Sequence, residues 1–286
     1  MRVKNVLDTM TNKYATLTKS GKKVADYVFA NKLEAQYLSI TLLAEACEVA
    51  EATISRFCKT LGYNGYNEFK LALAKAGAAK IGDDDAAAYD KILPTDSILG
   101  MSKKLYATDV AAISQTLDLM DERAYARAAQ VLYRAQRVYC FGQGGSGILA
   151  KEAWARFLMV APWFHCIEDS HLQTIAAAMC TANDVILFFS YSGATKDMMD
   201  ILVPAHERGA KIILITHFAK SPATVYADEI LLCGSREGPL QSGGVAAKMG
   251  QLFIIDVLFN EFCRQNPQVL DANRETTANA ITTKLL

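Results

Sequence analysis

Between residues 137 and 265, short and almost uninterrupted apolar segments alternate with amphipathic ones. That alternation restricts the fold more than any other feature of the chain. "RVYCFG" (137–142), "WFHCIE" (163–168), "DVILFFS" (184–190), "KIILITH" (211–217) and "DEILLCG" (228–234) read as strands. "GGSGILAKEAWARFLM", "SHLQTIAAAMC", "KDMMDILVPAHERG" and a final long helix, "VAAKMGQLFIIDVLFNEFC", read as the helices between and after them. Strands that are apolar on both faces belong to a parallel sheet covered on both sides. Right-handed crossovers then predict a doubly wound α/β domain.

The front of the chain has a different rhythm. Residues 1–76 read as all helical. "SGKKVADYVFAN" (20–31) places Val24, Ala25, Val28 and Phe29 on one face, with Ser20 as the expected N-cap. Residues 77–97, with an acidic run and a proline, read as a linker. The back domain is expected over 98–286. It opens with a helix from about Ser97 whose apolar face is Ile98, Met101, Leu105, Val110, Ile113 and Leu117, and with a second helix from Asp121. The sequence leaves open whether these two helices pack on the back domain or form a dimer seam.

Charge divides the same way. Net charge is zero, yet residues 1–80 carry 12 Lys and Arg against 7 Asp and Glu, while the rest carries 18 against 23. A basic front and an acidic back imply different partners. Seven cysteines are scattered singly without C-x-x-C, as expected of reduced, buried thiols in a cytoplasmic protein. The four histidines lack ligand spacing, so no metal is expected. No apolar run approaches the ~18 residues of a membrane span, and "MRVKNVLDTMTNKYATLT" lacks a signal core, so neither membrane nor export is expected.

Ligands of such a sheet bind beyond the carboxyl ends of its strands. "SYSGAT" (190–195) occupies one such end. Gly193 allows a tight turn, helix-start amides lack intrahelical partners, and Ser190, Ser192 and Thr195 add hydroxyls. This composition suits a terminal phosphate, with Lys196 as a nearby point charge. "FGQGGSG" (141–147) is a second junction of the same kind, with Gly144, Gly145, Gly147 and Ser146. Together the loops predict a sugar phosphate held between them. No Walker pattern is present. Two rivals remain open. Gly142, Gly144 and Gly147 spell the dinucleotide fingerprint, with Glu168 or Asp169 as the ribose acid. An aldose–ketose isomerase would use Glu152 or His171 as its base.

In the front, "LLAEACEVAEATISRFCKTLG" has helix-turn-helix spacing: small Ala44 at the crossing, Val49 after the turn, Ile54 and Phe57 inward. Thr53, Ser55, Arg56 and Lys59 are left to meet DNA, Arg56 at guanine or phosphate and Lys59 at phosphate.

"ATISRFCKTLGYNGYNEFKLALA" resembles the front domain of the RpiR family of bacterial transcription regulators. "GQGGSG", "SYSGATKD", "ERGAKIILIT", Ser221-Pro222 and "QLFIIDVLF" resemble that family's sugar isomerase (SIS) domain, in the family's order. The resemblance implies an all-α helix-turn-helix domain followed by a doubly wound SIS domain. It implies a regulator binding double-stranded operator DNA as a homodimer or homotetramer, sensing a phosphorylated sugar, without catalysis and without cofactor. The chain departs from the family pattern at Glu48, where Gly is usual, and at Ala50, where Ser is usual. Ala247-Lys248 replaces a common Ser-Arg, which makes Lys248 the matching effector-binding residue.

Overall fold

The computed structural model describes residues 5–32, 34–78, 92–235, 244–282 and 284. The chain divides into two compact units, the first reaching to Thr108 and the second taking Asp109–Ser235 and the residues from Val245 onward. Among the described residues no helix is long and apolar enough to cross a membrane.

The first unit contains α1 (Val6–Lys13), α2 (Lys19–Ala30), α3 (Ile40–Ala46), α4 (Glu51–Leu61) and α5 (Tyr66–Ala78). Side chains close the early helix starts: Asn5 accepts from the Leu7 amide, Thr18 from Gly21 and Ser39 from Leu42. The cap of α2 is therefore Thr18, not Ser20. Periodicity locates a buried face but not the first turn, and Thr18 has the extended backbone a cap requires. Val24, Ala25 and Val28 are buried as expected, while Phe29 only packs against the cluster from its edge. Phe69 of α5 closes the core edge-on against Phe57, with ring centroids 5.6 Å apart. Most of the expected linker, residues 79–91, lies outside the described residues.

α6 (Ile98–Asp118) begins where expected, with Ser97 accepting from the Gly100 amide. Its expected apolar face is not its buried face. Ile98 is 80% exposed, and Leu105, Val110 and Leu117 are exposed too; the buried side chains are Ala112 and Thr116. Close backbone approach explains this. A Cβ on Gly234 would lie 2.5 Å from Gln115 Cβ, and one on Gly250 would lie 2.6 Å from Thr116 Oγ1. Only small side chains fit on that side of the helix. α7 (Glu122–Arg134) follows, one residue after the expected start at Asp121, which caps it by accepting from the Arg123 amide.

The sheet comprises β1 (Arg137–Gly142), β2 (Phe164–Cys166), β3 (Asp184–Phe189), β4 (Lys211–Thr216) and β5 (Glu229–Leu232). All pairs are parallel, in the order β2-β1-β3-β4-β5. Between and after the strands lie α8 (Gly145–Leu158), α9 (Ser170–Ala178), α10 (Lys196–Glu207) and α11 (Val245–Gln265). One face of the sheet packs Val138, Cys140, Leu187, Phe189 and Ile213 against α7, α8 and α11. The other packs Phe141, Ile186, Phe188 and Leu214 against α9 and α10. Each fully buried side chain of this size contributes about 1.5–3 kcal/mol. All six residues of β3 are buried, which accounts for its uninterrupted apolar run. The doubly wound fold read from the sequence is the one observed. The helix expected to be final is not, because α12 (Pro267–Thr282) follows it. It is mostly polar, and it docks through buried Leu270 and through Asn273 and Thr277, which donate to the Val160 and Met159 carbonyls. All seven thiols are free and five are buried; burial pushes Cys58 up to about 12.

At the amino edge of the sheet, Arg137 and Asp184 face each other across β1 and β3. The guanidinium donates through Nε at 2.9 Å and through a terminal nitrogen at 2.7 Å. The Thr181 amide and hydroxyl also donate to this carboxylate. Burial works against the charged form, yet Arg137 and Thr181 outweigh it and hold the Asp184 carboxyl below the usual carboxylate range. Its folded pKa being lowered, the stabilisation is complete above the unfolded carboxylate range near 4 and is lost as pH falls through the folded value. Asp184→Asn should therefore lower the unfolding free energy at neutral pH by about 2 kcal/mol, less than a fully buried pair because Arg137 keeps partial exposure. Denaturant melts should show the wild-type excess shrinking below about pH 4 and absent from the variant.

Candidate functional site

At the opposite, carboxyl edge, β1 and β3 are neighbours whose following helices leave to opposite faces of the sheet. This is the topological switch point, where the chain opens a crevice. Gly142 ends β1 directly beside Phe189, which ends β3. The two small-residue loops singled out in the sequence are therefore adjacent.

In the β3–α10 loop, Ser190 Oγ accepts from the Gly193 amide at 3.2 Å and Ser192 Oγ accepts from Ala194 at 3.3 Å. Part of the expected nest is thus satisfied within the loop. Ser190 is buried and shapes the turn, and Ser192 is half-buried with its proton still available. Thr195 starts α10 without a side-chain cap, and Thr195 and Lys196 are exposed. The open donors are the first-turn amides of α10, which have no intrahelical acceptors. Gly193 has φ 58°, and a Cβ there would lie 2.2 Å from Ser221 Oγ. Ser221 is 2% exposed, and its hydroxyl has no partner among the described residues.

In the β1–α8 loop, Gly144 takes φ 55° and precedes α8 with no side-chain cap. A Cβ on Gly142 would lie 2.7 Å from the Ser146 carbonyl oxygen, so that glycine serves the turn itself. Ser146 is half-buried in the first turn. Lys248 of α11 reaches this helix start: a Cβ on Gly145 would lie 3.5 Å from Lys248 Nζ. Among the described residues no carboxylate forms an ion pair with Lys248. A cation at the positive end of a helix is electrostatically unfavourable until an anion joins it.

The dinucleotide reading finds its acids engaged elsewhere. Glu168 pairs with Lys151 at 2.6 Å, and Asp169 caps α9 by accepting from Leu172. Glu168 borders the β1–α8 glycines, where Gly142, Gly144, Gly147, Lys151 and Cys166 line with it a cavity of about 270 Å³. Glu152 and His171 are both exposed, on α8 and α9. The structure adds residues that motif reading missed. Tyr191 stacks on His217 with centroids 5.0 Å apart and donates to the Ser235 carbonyl at 2.9 Å. Thr216 Oγ1 donates to the Tyr191 carbonyl. Buried Gln173 donates to the Ile167 carbonyl and accepts from Gln143, bracing the β1 exit. The strand-end rule applied to "KIILITH" would have drawn attention to Thr216, His217 and Ser221.

In the first unit, α3 and α4 meet through a turn in which Glu48 takes φ 53°, the left-handed conformation expected where glycine is usual. Lys23 pairs with Glu48 at 3.0 Å. Ala50 starts α4 without a side-chain cap, as its lack of a hydroxyl predicts. Ala44, Ile54 and Phe57 are buried. Arg56 and Lys59 are exposed, and Thr53 and Ser55 are half-buried. Arg56 donates to Thr53 at 3.4 Å, which gathers the two at one place on α4.

Comparison with known proteins agrees with this architecture. Residues 4–80 match the helix-turn-helix domain of the rpiR family, and residues 131–261 match the SIS domain. The chain is 31% identical over 277 residues to an HTH-type transcriptional regulator of Haemophilus influenzae, covering 97% of this chain and 96% of that one. It is 30% identical to the HTH-type transcriptional regulator HexR of Pseudomonas aeruginosa over 75% of this chain and 74% of HexR. The NanR protein of Vibrio vulnificus, solved in complex with ManNAc-6P, superposes with a TM-score of 0.88 at 26% identity, over 98% of this chain and 99% of NanR.

The loop geometry has a direct consequence. Gly193→Ala places a methyl group against Ser221 in a left-handed backbone, and should destabilise the protein by about 2–4 kcal/mol. Chemical denaturation checks this; an unchanged midpoint would mean the loop rearranges freely.

Proposed function

The chain belongs to the rpiR family of helix-turn-helix transcriptional regulators, and on that premise we propose that its SIS domain holds a phosphorylated sugar at the β1/β3 switch point. The phosphate lies against the first-turn amides of α10, the Ser192 hydroxyl and Thr195, on a loop shaped by Ser190 and Gly193. The β1–α8 loop, with Gly144 and Ser146, lines the other wall, and Lys248 supplies the balancing charge. The observation that carries this reading is the Lys248 ammonium, without an ion-pair partner among the described residues, beside the uncapped start of α8. Two positive helix ends and a lysine converge where only a negatively charged ligand relieves them. The ManNAc-6P complex of NanR supports a sugar phosphate in particular.

The helix-turn-helix reads operator DNA. α4 enters the major groove with Thr53, Ser55 and Arg56 toward base edges and Lys59 toward phosphate. A homodimer or homotetramer presents two such helices to a two-fold operator. The sugar phosphate changes the relative population of DNA-binding arrangements by binding them unequally. The protein acts in the cytoplasm and catalyses no reaction on its effector.

A thermal-shift screen of hexose and N-acylhexosamine 6-phosphates against the unphosphorylated sugars tests the effector reading. A ligand at 100 times its Kd adds ~2.7 kcal/mol of stability. Ser192→Ala should weaken the bound sugar phosphate about tenfold, the loss of one hydrogen bond to a charged group. A variant that binds as tightly as the wild type would remove Ser192 from the site, and equal shifts by unphosphorylated sugars would remove the phosphate. Binding to DNA upstream of its own gene should fall steeply with salt, and Arg56→Ala should abolish its preference over random duplex.

A further inference from the structure

Tyr191 lies between the two serines of the β3–α10 loop, yet its hydroxyl leaves the loop and donates to the Ser235 carbonyl at 2.9 Å. Ser235 has φ 80°, a left-handed backbone that a serine keeps only where its surroundings over-determine it. Those surroundings belong to α6. The Ser235 amide donates to Gln115 Oε1 at 3.0 Å, and the Gly234 amide donates to Thr116 Oγ1 at 2.9 Å. The Thr116 hydroxyl donates in turn to the Ala112 carbonyl at 2.7 Å, so the contact is anchored in the helix backbone. The glycines at 234 and 250 bring the segments so close that neither tolerates a Cβ. A chain of hydrogen bonds therefore runs from the loop to the helix by which the chain enters the second unit.

We propose that Tyr191, Ser235 and Gln115 are positioning residues that carry occupancy of the β3–α10 loop to α6. The inference rests on reading that loop as an anion site. An anion drawing on the α10 amides and on Ser192 fixes the loop immediately after Tyr191. The Tyr191 hydroxyl then holds the Ser235 carbonyl, and the left-handed backbone of the same residue sets the direction of its amide toward Gln115. Bound and empty loops thus favour different degrees of order in the last two turns of α6, and the ligand biases the helix by its unequal affinity for the two. Tyr191 and Gln115 act through the backbone of Ser235 and need no contact with the ligand.

Amide hydrogen exchange on the full chain, with inorganic phosphate as the probe, tests the route. In the wild type, phosphate should slow exchange in peptides covering 193–199 and, by about threefold or more, in peptides covering 112–118. Gln115→Leu should keep the first effect and lose the second. Gln115→Glu retains an acceptor oxygen and should keep both, while Tyr191→Phe should behave as the leucine variant does. A purely structural role would speed exchange of α6 equally with and without phosphate in Gln115→Leu, leaving the phosphate-dependent difference intact, and that result overturns the proposal. So does protection confined to the loop in the wild type. Phosphate that protects neither segment of the wild type defeats the anion reading and this inference together, whereas the other failures leave the anion reading standing.

Discussion

The parallel pairing of β1 with β3 is the constraint on which the second unit depends. Its register runs from Arg137 opposite Asp184 to Gly142 opposite Phe189. The two ends of this pair do different work. At the amino edge the charged groups satisfy one another, and a forked guanidinium and a threonine saturate the carboxylate. At the carboxyl edge the helices diverge to opposite faces, so the chain cannot satisfy the helix-start amides by packing one loop on the other. What remains is an unfilled set of donors, which is what an anionic ligand requires.

The same contrast distinguishes helix starts throughout the protein. α1, α2, α3, α7 and α9 begin with Asn5, Thr18, Ser39, Asp121 and Asp169, each accepting a bond from its own first turn. α4, α8 and α10 begin at Ala50, Gly144 and Thr195 with no such bond. The starts of α8 and α10 are the two that face the proposed sugar-phosphate site. A missing cap normally costs about 1 kcal/mol. Helix ends left open at proposed binding surfaces forgo that stabilisation in the free protein and regain donor partners when the ligand arrives.

Much of this was legible in the sequence because parallel strands and glycine loops have strong local signatures. "DVILFFS" followed by "SGAT" announces both a buried strand and the loop that ends it. The left-handed Glu48 and the uncapped Ala50 were readable for the same reason, since a turn's geometry restricts which residues fit it. Features set by distant partners were not readable. The buried side of α6 is decided by the lack of side chains at Gly234 and Gly250, more than a hundred residues away. α12 docks through one leucine and side-chain bonds to backbone carbonyls, which leave no apolar periodicity to find. Two features missed for a local reason are the inward turn of Ser190, which depends on an amide three residues further on, and the choice of Thr18 over Ser20, set by the geometry of a single turn.

The glycines show why composition alone misleads at such a site. Gly142, Gly144 and Gly147 spell a dinucleotide fingerprint, yet Gly142 is required by the Ser146 carbonyl in a tight turn, and Gly144 by its left-handed backbone. The acids that would complete that fingerprint are already committed, Glu168 to Lys151 and Asp169 to the start of α9. A ribose would have to break an ion pair or uncap a helix to claim either. A phosphate at the proposed neighbouring site displaces nothing of the kind: it meets helix-start amides without intrahelical acceptors and a lysine with no carboxylate partner among the described residues. The difference between two sites built from similar residues lies in which polar groups the fold has already satisfied.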